Sequence, residues 1–302
     1  MGILKHKKLF YIISSSLAVI SIAALIIWKL SLGIDFTGGS MVQVQFSKSL
    51  PTLAQMTTAL NVQKLNAQIQ QVGTDSYAIT TQYLNEQAHN TMLQNLAADL
   101  GSKYPFTESQ FTAVGPVIGS QLKAQATEAV VLVIILIALY IAFAFRKISQ
   151  IISSWKYGVV TVVTLFHDVI ITMGVFAIWA HFTNFSIGVP FVAAMLTVLG
   201  YSVHDTIVVF DRIRENLLRY GTKEPLFNVV DVSLTQTFSR SVNTSLTVLI
   251  TLFAIYLLGS ANIKDFVLVL LVGIVIGTYS SICIASPLIF DWSQRRRVKG
   301  KR

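Results

Sequence analysis

Asp168, Asp205 and Arg240 are the residues of this chain whose types and positions could do chemistry, because each lies in or beside a long apolar run. An ionisable side chain inside a membrane span is expensive and by default marks an ion pathway or a proton relay. An Asp suits such a relay: burial favours its neutral form, a neighbouring cation favours the ionised one, and Arg keeps its charge throughout. Asp205 is therefore expected to carry the proton. Arg240 is expected to set its affinity and to supply compensating charge when the proton leaves. At 1.5 Å per residue, Asp168 lies about 18 Å past Lys156, near the midplane, and Asp205 about 9 Å before Asp211. Arg240 reaches a similar depth, about 13 Å, if the fifth helix begins near Asp231. Plainer readings compete. Asp205 and Arg240 could form an interfacial pair that only orients two helices, and Asp168 could bond helix backbone or Thr172. His167 and His204 each precede one of the acids, but adjacent helical residues diverge, so both are read as packing.

Other chemistries find no support. Cys283 is the only cysteine and sits in an apolar run, which excludes a disulfide framework and a cysteine metal site and leaves helix packing. No Gly-rich phosphate loop with Lys-Ser or Lys-Thr is present. No catalytic constellation, metal site or cofactor is proposed, and the energy source must be an ion gradient or a partner.

The elements that position these residues follow from composition. Of 302 residues, 53% are hydrophobic and 12% charged, the profile of a membrane protein. Six runs have the roughly 20 residues needed to cross hydrocarbon: about 9–30, 126–145, 157–180, 187–210, 242–259 and 266–290. The first follows Lys5, Lys7 and Lys8 but is too long for a signal-peptide core and lacks a small-residue cleavage site, so it is read as an anchor. Alternating the loops places those lysines, Arg146, Lys147, Lys156, Arg212, Arg214, Arg219, Lys223, Arg240 and the tail from Arg295 on one side, the cytoplasm by the positive-inside rule. The net charge of +9 is thus mainly a topology signal, and a nucleic-acid role is set aside. Expected regions are a cytoplasmic N-terminus at 1–8, a first span at 9–32, an outside lobe at 33–120, five spans within 121–290 and a basic tail at 291–302. Residues 211–231 would form a cytoplasmic loop whose start, Asp211 to Tyr220, is amphipathic and could lie on the bilayer until Gly221 ends it. Gly273 and Gly277, with Ser280, Ser281 and Ala285 nearby, permit close helix contact.

The lobe has a readable pattern. Val42, Val44 and Phe46 alternate with Gln43 and Gln45, the period of a half-buried strand. A helix is expected over 52–60, a hairpin over 67–72 and 76–81 turning at Gly73-Thr74-Asp75, a second helix over 84–100 stopped by Gly101, and a strand over 106–114. The order β-α-β-β-α-β predicts a ferredoxin-like α+β lobe. Gly115, Pro116 and Gly119 are expected to make a hinge-prone link into the second span.

Together Gly33-Ile34-Asp35-Phe36-Thr37-Gly38-Gly39, Gly200-Tyr201-Ser202-Val203-His204-Asp205-Thr206-Ile207-Val208-Val209, Asp211-Arg212-Ile213-Arg214-Glu215-Asn216 and Ser233-Leu234-Thr235-Gln236-Thr237 before Arg240 resemble the SecF family, the smaller membrane subunits of bacterial SecDF protein-export complexes. The resemblance runs nearly end to end. It implies an α-helical polytopic protein whose six helices form half of an RND-type bundle, with the lobe in the periplasm and the spans in the inner membrane. SecD would complete the bundle, since no second copy of the lobe-plus-spans pattern is present. It implies that Asp205 and Arg240 match the family's essential carboxylate and arginine. Asp168 lies in a family-like His-Asp segment with no firm role, and the Gly33–Gly39 motif would fix how the lobe leaves the first helix. The implied partners are SecD, the SecYEG channel, the SecA motor and an unfolded preprotein, with YajC and YidC as further candidates. Rival readings are an RND-type proton-coupled exporter of a small molecule or lipid, a passive membrane assembly scaffold and, more distantly, a membrane hydrolase.

Overall fold

The computed structural model describes residues 2–63, 65, 67–146, 152–183, 185–220 and 223–299, with backbone alone at 261–262 and 295–299. Lys147, Gly221 and the end of the basic tail, three positions named above, lie outside the described residues or side chains. Two units divide the chain: Met1–Leu30, Ala129–Thr183 and Pro190–Arg302 form one, and Ser31–Glu128 with Asn184–Val189 the other.

In the smaller unit a one-turn helix α2 (Ile34–Thr37) leads into β1 (Gly39–Phe46), α3 (Leu53–Val62), β2 (Gln68–Val72), β3 (Ser76–Thr81), α4 (Glu86–Leu100) and β4 (Phe106–Val114). The strands form one antiparallel sheet in the order β2-β3-β1-β4, as the ferredoxin-like reading requires. Local chemistry sets the boundaries. Thr52 and Gln55 close a reciprocal capping box at the start of α3, satisfying two orphan donors. Asn85 caps α4, and Gly101, at φ 63°, ends it. Alternation buries Val42, Val44 and Phe46 with Ile79, Met56, Leu60, Met92 and Leu96 in one core. Opposite Gln43 and Val44 the register slips by one residue, leaving Ser109 as an extra residue in β4, an irregularity of the kind that bends the strand carrying it.

The expected hinge at Gly115–Gly119 is instead the beginning of the second span, since α5 runs Pro116–Ala144. Proline suits a first helical turn because its missing N–H would have no partner there. Gly119 serves close approach: a Cβ there would stand 2.8 Å from the nitrogen of Gly38. Gly38 (φ 74°) and Gly39 (φ 145°) need conformations that favour glycine, and a Cβ on them would meet Pro116 Cα at 2.8 Å and Thr81 O at 2.7 Å.

The larger unit holds α1 (Lys7–Ile27), most of α5, α6 (Ser154–Thr183), α7 (Val189–Tyr220), α8 (Leu226–Leu258), α9 (Ala261–Ser280) and α10 (Ser286–Lys299). Six helical spans among the described residues are long and apolar enough to cross a membrane. The last is continuous from α9 through a π turn at Ser281–Ala285 into α10, so the first part of the expected basic tail is helical. The expected loop at 211–231 is also mostly helix. Asp211 to Tyr220 continues α7 and buries Ile213 and Leu217 instead of lying apart as a surface segment. Asn216 explains why, donating to Ser233 Oγ at 2.8 Å and to Gln236 Oε1 at 2.9 Å on α8.

Small residues set the helix contacts, as expected for Gly273 and Gly277. Cβ atoms there would stand 2.3 Å from Val198 Cγ2 and 2.9 Å from Ser202 Cβ. Gly174, which the sequence did not single out, is tighter still, with Ser21 Cβ 2.2 Å from a built Cβ. Gly174→Val is expected to cost about 1–3 kcal/mol by overpacking, read as a lower midpoint of thermal unfolding in detergent. Gly200→Ala is the control: a Cβ there meets nothing within 4 Å, and relief of the helical glycine penalty, about 1 kcal/mol, should raise the midpoint.

Candidate functional site: a buried carboxyl and hydroxyl row

Asp168 lies on α6 with no exposed surface. Its Oδ2 accepts hydrogen bonds from Ser202 Oγ of α7 at 2.6 Å and Ser280 Oγ of α9 at 2.8 Å. Its Oδ1 pairs with His167 Nδ1 at 2.9 Å. The packing role read for His167 is thereby corrected: Nδ1 is only two bonds from Cβ, so the ring can fold back onto its neighbour even though the Cα–Cβ bonds diverge. Thr172 is not the partner either, and its buried hydroxyl has no hydrogen bond in the described structure.

Asp205 lies on α7 and is 6% exposed. Ser241 of α8 and Ser281 of the π turn flank its carboxyl group, yet Oδ2 of Asp205 and Oγ of Ser241 are both buried without a hydrogen-bond partner among the described residues. Hydroxyl groups lie between the two acids, although no hydrogen bond of Asp205 completes a chain to Asp168 among the described residues. Ser281 Oγ pairs with Thr206 Oγ1 at 2.9 Å and donates to the carbonyl of Ser202 at 3.2 Å, and Ser202 in turn reaches Asp168. Ser280 and Ser281 stand at the entry to the π turn, which shifts the phase of the helix that follows; such turns recur at functional sites.

Arg240 falls fourteen residues into α8, which begins at Leu226, so the early helix start required above is met. The expected contact is not. Arg240 is exposed and no ion pair among the described residues includes it. It lines a cleft with Val208, Asp211, Gln236 and Thr237, while the next residue, Ser241, turns inward to Asp205. An arginine facing outward avoids desolvating its charge within this chain. His204 is exposed as well, which also corrects its reading as a residue packed within this bundle.

The family model for protein export membrane protein SecD/SecF, C-terminal, matches residues 94–295, which contain every residue of the buried row. The chain belongs to the SecD/SecF family. A second model of that family, the SecD/SecF GG motif, matches residues 25–49 and so covers Gly33 through Gly39. Among relatives, the chain is 40% identical to the protein translocase subunit SecF of Thermobaculum terrenum over 98% of this chain and 95% of that one. It is 38% identical to that of Sebaldella termitidis over 96% and 91%. The crystal structure of SecDF from Thermus thermophilus, described as a translocon-associated membrane protein, superposes with a TM-score of 0.85 at 31% identity, covering 98% of this chain and 39% of that one. SecDF in its super-membrane-facing form superposes with a TM-score of 0.71 at 30% identity, covering 100% and 40%. The chain thus spans about two fifths of the length of those SecDF chains.

Sequence reasoning missed Ser202, Ser241, Ser280 and Ser281 as members of this SecD/SecF site. The signal was present as hydroxyls recurring inside apolar spans, but Ser280 and Ser281 read equally well as small packing residues.

Proposed function

We propose that this chain is the SecF-type subunit of a SecDF translocase complex, using a proton gradient to drive late steps of preprotein export across the bacterial inner membrane. Asp205 is the exchanging carboxyl. The observation that carries this is the difference between the two acids. Both oxygens of Asp168 are hydrogen-bonded, whereas Oδ2 of Asp205 lies buried beside the Ser241 and Ser281 hydroxyls without a hydrogen bond of ordinary geometry among the described residues. A carboxyl with a free oxygen can take a proton without breaking an existing hydrogen bond. Asp168 would serve the relay as its fixed end, holding Ser202 and Ser280 in register.

SecD would supply helices facing the surfaces that this chain leaves uncovered; α6, α7 and the last span are about half buried, while α5 and α8 are mostly open. Arg240 and His204 lie exposed on α8 and α7, where a facing carboxylate would find the guanidinium. In this reading both termini and the basic loops face the cytoplasm, the lobe faces the periplasm, and the chain acts with SecYEG and SecA, with YajC and YidC as further partners, on an unfolded preprotein. It transports and does not hydrolyse.

Export of a preprotein into sealed vesicles under an imposed proton or sodium gradient tests the proposal. Stimulation by the proton gradient, absent with sodium alone, is expected; no stimulation by either would leave a passive scaffold. Arg240→Ala is expected to separate stability from function. Thermal unfolding of this chain should shift by less than about 0.5 kcal/mol, the range of surface substitutions, while gradient-driven export is lost.

A further inference from the structure

The segment leading into α7 is stitched to the start of the lobe. Ile187 N donates to Ser31 O at 2.8 Å, and Gly33 N donates to Ile187 O at 2.8 Å, forming a short parallel bridge between Leu32 and Ile187. A Cβ on Gly33 would stand 3.1 Å from Ile187 O, so glycine permits this approach. Beyond the bridge, Asp35 Oδ2 accepts the backbone N–H of Val189 at 2.8 Å.

Val189 is the first residue of α7. The residue before it, Gly188, has no side chain to cap the helix, and Pro190 after it has no N–H. A helix start leaves orphan N–H groups and a partial positive charge, and this one takes its carboxylate from 154 positions earlier in the chain. Farther along the same helix lie Ser202, at about 20 Å, and Asp205, at about 24 Å. Asp35 itself is held in α2 directly before the two glycines pressed against Pro116 and Thr81, and β1 follows at once.

We infer that Asp35 is a positioning residue that couples α7 to the lobe, so that a displacement of α7 on proton uptake at Asp205 is passed through the 31–39 segment to β1. This rests on the proton-driven reading above. A cap borrowed from the lobe moves with the lobe, whereas a cap from the helix's own chain would not.

Hydrogen–deuterium exchange of the assembled complex in lipid discs tests it, comparing the native chain with Asp205→Asn as a mimic of the protonated state. Exchange of the amides at 31–46 is expected to change roughly twofold to thirtyfold, the range spanned by loss of one cap. Asp35→Ala should abolish that response, and Asp35→Asn, whose amide oxygen can still accept from Val189, should retain most of it. Asp35→Ala combined with Gly188→Ser supplies a local cap. The new hydroxyl can accept the N–H of Phe191, two residues past Val189, so protection in the first turn of α7 should rise while the response of 31–46 to Asp205→Asn stays lost; a purely structural role predicts that the response returns with the cap. A response that persists undiminished in Asp35→Ala overturns the coupling alone. An unchanged lobe in Asp205→Asn overturns the proton-driven reading and the coupling with it.

Discussion

Complexes carrying Asp205→Asn are expected to assemble normally and to lose the portion of export that an imposed gradient drives. Asn has nearly the shape of Asp, so Ser241, Ser281 and the surrounding helices keep their places. What it lacks is a site for an exchangeable proton. One charge crossing 100 mV is worth about 2.3 kcal/mol, a bias of about fiftyfold between two conformations. That is the largest stimulation one proton per cycle can give, and it is the stimulation that should disappear. The measurement is preprotein accumulation in sealed vesicles with and without the gradient, alongside co-purification of the complex. Asp205→Asn vesicles that still respond fully to the gradient would remove Asp205 from the relay.

Asp168→Ala should be the most destabilising single change in the buried row. It removes the shared acceptor of Ser202 and Ser280 and the partner of His167 at once. Each stranded buried donor costs about 1–3 kcal/mol; Ser202 and His167 lose their partner, while Ser280 can turn to the carbonyl of Gly277, 3.0 Å away. A net loss of about 2–5 kcal/mol is expected, read as a large drop in the thermal unfolding midpoint of the solubilised protein. Asp168→Asn still offers an oxygen to the two serines and an amide to the histidine ring, and should lie close to the native value. Ser202→Ala and Ser280→Ala share one acceptor oxygen, so their costs should not add. Equal midpoints for Asp168→Ala and the native chain would mean that the row does not hold α6, α7 and α9 together.

The sequence by itself determined which segments cross a membrane and which do not, because hydrocarbon thickness sets a minimum apolar length and that length is a local property of the chain. It determined the lobe's strand and helix order for a similar reason: alternation at Val42, Val44 and Phe46, the turn at Gly73 and the stop at Gly101 act within a few residues. It also singled out Asp168 and Asp205, since an acid in an apolar run stands out without any knowledge of neighbours. Only the tertiary structure decided what those acids touch. The row draws Asp168 from α6, Ser202 from α7 and Ser280 from the end of α9, and their meeting depends on helix contacts such as those at Gly273 and Gly277. The same holds for Arg240, which belongs to the right helix at a suitable depth but is exposed and makes no ion pair with Asp205. Facing is fixed by rotation about the helix axis, and that rotation is settled by packing between helices distant in sequence, which no local pattern encodes.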